Sequence, residues 1–232
     1  MNTPIVAADS KRGTAGWGPW TGVLFVALFL AAEIVVGSTP NDGDSDSAWT
    51  SFFADRGNRI LVTISGFLLV FAAISLLAFL TFLWLRIRTV RAQEINPLPL
   101  LLATMAAIGI AFSGLVQATI TGAMVFGSLK EPGVDVLRLS LEMSYPILLI
   151  GGMYPAALGI AVLAFQAHPA GVFAKWVLIL SDVVAVGLLA SVLFFPLILL
   201  LVWVLVVAVL LLRSDSRPAA AVASSAAEVT AG

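Results

Sequence analysis

The chain has no cysteine and only one histidine among its 232 residues. The first absence removes disulfides, thiolate metal sites and thiol nucleophiles. The second removes HExxH zinc sites, two-histidine haem ligation and imidazole clusters within the chain. Any Ser–His pair would have to use His168, which lies in the polar stretch Gln166-Ala-His-Pro outside the apolar runs. Charge is equally scarce. Charged residues make up 11 % of the chain, where a soluble domain carries about 25 %. The few bases form no block, so nucleic acid is not an expected partner. No metal site, cofactor or catalytic constellation can be assembled, and a non-enzymatic protein is expected.

What fills the chain instead is hydrocarbon. Hydrophobic residues account for 60 % of it, and the mean hydropathy is +1.07. The longest such stretch, Val172 to Leu212, contains Asp182 as its only acid and Lys175 as its only base. One helix of that length would rise about 60 Å, roughly twice the hydrocarbon thickness of a bilayer. It must therefore fold back. Phe194-Phe195-Pro196 removes an amide donor and biases the residue before proline away from helical geometry. Two spans, 173–190 and 196–212, are expected on either side of that turn.

Four more spans precede them, at 19–37, 60–85, 98–126 and 137–165, giving an all-α polytopic bundle of six transmembrane helices. Residues 1–16 and 214–232, polar or rich in Ala and Ser, read as disordered tails. Val36-Gly37-Ser38 has the small residues of a signal-peptide cleavage site. The preceding run is long for a signal peptide and contains Glu33, which favours an uncleaved first helix. The connection 38–58 holds Asn41-Asp42-Gly43-Asp44-Ser45-Asp46, which resembles a calcium loop. Counted from Asp42, however, it puts Ser47 where the sharp turn needs glycine and Phe53 where a bidentate glutamate is needed. A solvated acidic loop is the better reading. It leads into a short interfacial helix capped by Ser47, with Trp49, Phe52 and Phe53 on one face. With the N-terminus inside, the inner segments hold Lys11, Arg12, Arg86, Arg88, Arg91, Lys175, Arg213 and Arg217, against Arg56, Arg59, Lys130 and Arg138 outside. This bias places both termini in the cytoplasm of a multi-pass cell-membrane protein.

Polar groups at membrane depth are costly and count as functional candidates. Glu33 and Glu142 each lie about one turn from an outer helix end, where Arg59 and Arg138 are expected to pair with them respectively. Asp182 sits near mid-span with no base at its depth. On the third span Gly109, Ser113, Gln117 and Thr121 recur every four residues as one small, polar stripe. Asp182 is expected either to bond to that stripe or to form a proton, ion or ligand site. The fourth span contains Tyr145-Pro146 and Gly151-Gly152-Met153-Tyr154-Pro155, in which the carbonyls of Glu142 and Gly151 lose their helical donors. Broken helices of this kind line sites in transporters.

Several stretches together resemble a group of six-span actinobacterial membrane proteins with no assigned activity. They are Thr39-Pro40 and the acidic loop leading into Trp49-Thr-Ser-Phe-Phe-Ala-Asp-Arg56, the basic Leu85-Arg-Ile-Arg88, and Pro196 to Trp203 with Leu212-Arg213. The likeness implies a membrane bundle and transfers no functional residue. Two functions follow as expectations. The first is a protein that binds a lipid-like ligand or a membrane partner through an outer vestibule, with a membrane protein partner or a homo-oligomer as the expected assembly. The second is a small proton-linked transporter using Asp182, Gln117 and the broken fourth span.

Overall fold

Proline, glycine and short polar side chains set the ends of the apolar helices. The computed structural model describes residues 16–41, 43–91, 96–130, 132–190 and 197–230. Helix α1, Gly18–Val36, starts with Pro19 in its first turn, where a missing amide costs nothing, and is closed by the Gly37 amide on the Glu33 carbonyl. A short α2, Asp46–Ala54, is capped by Ser45, whose side chain accepts from the Ala48 amide at 3.3 Å. The cap is therefore Ser45 and not Ser47, because the chain is extended at Ser45 and already helical at Ser47. Asp55 then starts α3, Arg56–Arg91, by accepting from the amides of Gly57 and Asn58.

Helix α4, Leu98–Phe126, begins where the Asn96 side chain accepts from the Leu98 amide. The fourth apolar run is unbroken as a path but changes its winding. It comprises α5, Val134–Pro146, then a π-helical segment, Ile147–Met153, then α6, Tyr154–Ala167. Pro146 offers the Glu142 carbonyl no amide, and the ladder is rejoined at wider spacing, with the Tyr154 amide on the Leu149 carbonyl. A turn with Gly171 at φ 70° leads to α7, Lys175–Leu189. The last helix is α8, Leu197–Thr230. It runs past residue 213 into the alanine-rich segment. The N-terminal tail at 1–15, Asp42, and the turn at Phe194-Phe195-Pro196 lie outside the described residues.

Four stretches, Gly18–Val36, Arg56–Val90, Leu98–Phe126 and Val134–Ala167, are long and apolar enough to cross a membrane, and Leu197–Arg213 is a shorter apolar helix. The exterior agrees with a lipid setting. Phe71, Ile74, Met105, Ile108, Phe112 and Val186 are exposed side by side with other large apolar residues, far beyond what a soluble monomer shows to water. At 36 residues α3 rises about 54 Å, so it must tilt or project beyond the hydrocarbon.

Neighbours in sequence are neighbours in space. Helix α3 packs on α1 and α4, α4 on the α5–π–α6 column, α6 on α7, α7 on α8, and α8 returns to α1. Phe79 of α3 meets Trp203 of α8 edge-on at 6.5 Å in the middle of the core, and the Trp203 indole donates to Ser181 at 2.8 Å. Two glycine contacts fix the closest approaches. A methyl group on Gly66 would strike the Gly114 carbonyl, and one on Gly114 would strike that of Gly66, so α3 and α4 touch backbone to backbone. Gly109 meets Gly151 and Gly152 in the same way, which seats the π segment on α4.

Candidate functional site

The polar stripe of α4 is divided between two neighbours. Thr121 accepts from Thr63 of α3 at 2.9 Å. Gln117 donates through Nε2 to Ser65 of α3 at 2.9 Å, and Ser65 in turn donates to the Ala32 carbonyl of α1 at 2.9 Å. Ser113 donates to the Ser144 carbonyl of α5 at 2.7 Å. Ser65, Ser113, Gln117 and Thr121 are all buried. The stripe thus ties α4 to α3 and α5 over two turns, and through Ser65 to α1.

Beside it the helices leave a chamber of about 460 Å³. Its polar wall is Glu33, Ser113, Gln117, Ser144 and Tyr145, and its apolar wall includes Leu30, Ile34, Leu69, Leu141 and Leu148. Val36, Gly37, Leu141 and Tyr145 also border a wider mouth of about 840 Å³, which Thr39, Pro40, Asn41, Trp49, Glu142 and Pro146 complete. Leu30 and Ile34 belong to the chamber and to the outside at once, for Ile34 is 75 % exposed. Helix α1 packs along α3 and α8, with α5 across the chamber from it. The chamber therefore adjoins the mouth and, at its side, the apolar exterior.

Helix α2 folds over the rim of this region. Trp49 and Phe53 bury against Val62 of α3 and Leu137 of α5. Arg138 of α5 reaches back to hold the loop: it pairs with Asp46 at 2.9 Å, donates to the Asp44 carbonyl at 2.8 Å and lies over the Trp49 ring. The expected Arg138–Glu142 pair is therefore not formed. The arginine finds a nearby carboxylate, a carbonyl and an aromatic face on α2, a tertiary neighbour that helical spacing does not reveal. Nor is the Glu33–Arg59 pair found among the described residues. Glu33 faces the chamber, whereas Arg59 has its Nε buried without a hydrogen bond.

Of the residues singled out by sequence, the fold brings Glu33, Ser113, Gln117 and Tyr145 together in the chamber and sets Glu142 at its mouth. Thr121 is one turn away and engaged with Thr63. Asp182 is elsewhere. It is exposed on α7, which packs on α6 and α8, and the expected bond to the α4 stripe is replaced by those to Ser65, Ser144 and Thr63. Ser65 and Ser144 escaped sequence reasoning. Ser65 lies two residues from Thr63 near the start of a long apolar run, and that close pair was the available signal. A cavity of about 350 Å³ near Arg86, Gly171 and Trp176, toward the opposite end of α3, holds none of the candidate residues. No group of three or more His, Cys, Asp or Glu able to hold a metal is found among the described residues. No family model matches the chain, and no curated protein or solved structure matches it.

Proposed function

We propose that this chain is a non-enzymatic protein of the cell membrane that holds a lipid-like amphiphile in the chamber between α1 and α5. The observation that carries the reading is the shape and lining of the chamber. A polar wall, buried at Ser113, Gln117 and Ser144, faces an apolar one whose rim residues, Leu30 and Ile34, are also lipid-facing surface. An amphiphile can put its head on Glu33, Gln117 and Tyr145 while its chain leaves sideways among Leu30, Ile34 and Leu148. Ligand sites of this size are commonly apolar with a few oriented polar groups. The π segment begins beside Tyr145, and such segments frequently accompany functional sites.

In this reading the hairpin of α7 and α8 completes six spans, α2 lies at the outer interface over the mouth, and both termini are cytoplasmic. The basic-residue bias supports that orientation. Reporter fusions at Gly232 and in the 38–58 loop test it, and a cytoplasmic signal from the loop would overturn it. The transport reading needed Asp182 beside Gln117, and the exposed place of Asp182 on α7 gives it no support.

Native mass spectrometry of protein released from nanodiscs tests the binding function. The wild type is expected to retain an amphiphile that Leu141→Trp, which obstructs the chamber where it meets the mouth, sheds. Equal retention by a folded Leu141→Trp protein would refute the assignment to this chamber.

A further inference from the structure

We infer that the chamber selects amphiphiles whose head is a protonated amine. The inference rests on the chamber being a site for a lipid-like ligand and adds the chemistry of the head. A carbonyl oxygen can only accept a hydrogen bond, so every hydroxyl bonded to one has spent its proton there. Ser113 donates to the Ser144 carbonyl, Ser144 to that of Leu141, and Thr39 at the mouth to that of Val36. The indole of Trp49 is likewise directed at the Asn41 carbonyl. What the hydroxyls still offer a ligand is lone pairs, and the indole, a donor only, offers nothing further.

The same logic fixes the amide of Gln117, whose oxygen and nitrogen cannot otherwise be told apart. Ser65 gives its one proton to the Ala32 carbonyl, so its oxygen can only accept, and the edge of Gln117 facing it must be the nitrogen. The carbonyl oxygen of Gln117 is left as the outer edge of a side chain that is 3 % exposed and lines the chamber, and it accepts no hydrogen bond among the described residues. Glu33 adds a carboxylate to the same wall and Glu142 another at the mouth, while neither space is lined by a lysine or arginine. An ammonium head brings N–H donors and positive charge to a wall dominated by acceptors, whereas a phosphate or carboxylate head would meet lone pairs and like charge.

The experiment uses three photoreactive probes with one dodecyl chain and different heads: dodecylammonium, dodecanol and dodecanoate, each carrying a diazirine. They are presented to the full chain in phosphatidylcholine nanodiscs at equal membrane loading. Labelling of peptides spanning Leu30–Ile34 and Leu141–Leu148 is compared with labelling of the exposed face of α7. The ammonium probe is expected to label the chamber peptides at least tenfold more than the alcohol, and the carboxylate less than either. Glu33→Gln is expected to bring ammonium and alcohol to parity. Ser65→Ala, which frees the amide of Gln117 to turn, should lower the ammonium preference severalfold and leave alcohol labelling unchanged, and it serves as the test if Glu33→Gln fails to fold. Chamber labelling without head preference, or with preference for the alcohol or carboxylate, overturns the inference and leaves the lipid-like ligand site standing. Chamber labelling no greater than that of the α7 face for all three probes overturns both.

Discussion

Replacing Ser65 by alanine cuts the relay that runs from Gln117 through Ser65 to the Ala32 carbonyl, two hydrogen bonds of 2.9 Å each. Side-chain hydrogen bonds between membrane helices average about 0.6 kcal/mol and reach about 1.7. Ser65→Ala should therefore cost about 1 kcal/mol, and Gln117→Leu, which loses only the Nε2 bond at nearly constant volume, about 0.6. The double variant loses each bond once, so the cycle should return a coupling of about 0.6 kcal/mol, the worth of the shared bond. Reversible unfolding in mixed micelles, followed by circular dichroism for the four proteins, measures all three numbers. Additive losses, with a coupling within about 0.2 kcal/mol of zero, would show that Gln117 does not address Ser65. The amide orientation on which the chamber's acceptor character depends would fall with it.

Gly66→Val and Gly114→Val each place a branched side chain against a backbone carbonyl that cannot swing away. Each should cost more than the 1–3 kcal/mol typical of overpacking and lower the yield of folded protein on size exclusion, whereas Gly43→Val at an open loop position should not. Arg138→Ala removes the ion pair, the Asp44 contact and the ring contact that hold α2. It should raise hydrogen exchange across Asp46–Ala54 and leave α4 protected; unchanged exchange in α2 would refute that anchoring role. Asp182→Asn should leave the unfolding midpoint unchanged or raise it, since an exposed carboxylate on an apolar face gains from neutralisation. A clear loss of stability would instead reveal a partner for the charge.

The sequence by itself determined the solvent of this protein and the places where its chain turns. Hydropathy alone separates the apolar runs at Gly18–Val36, Leu98–Phe126 and Val134–Ala167 to within a few residues of their expected limits, because a helix satisfies its backbone within one continuous segment. The four-residue recurrence of Gly109, Ser113, Gln117 and Thr121 was enough to identify the buried face of α4. Which helix that face meets was not in the pattern. A helix that is apolar all round carries no amphipathic signal for its orientation, so Asp182 could be placed at a depth but not on a side, and it lies outside. Glu33, equally isolated in its run, faces inward because α1 is clamped along α3 and α8 and turns that side toward α5. The partners of Arg138, 92 and 94 residues away in Asp46 and Asp44, exist only once α2 has folded over the rim. Tertiary packing also oriented the Gln117 amide, since the direction of a hydrogen bond depends on what the neighbouring helix has already done with its own proton.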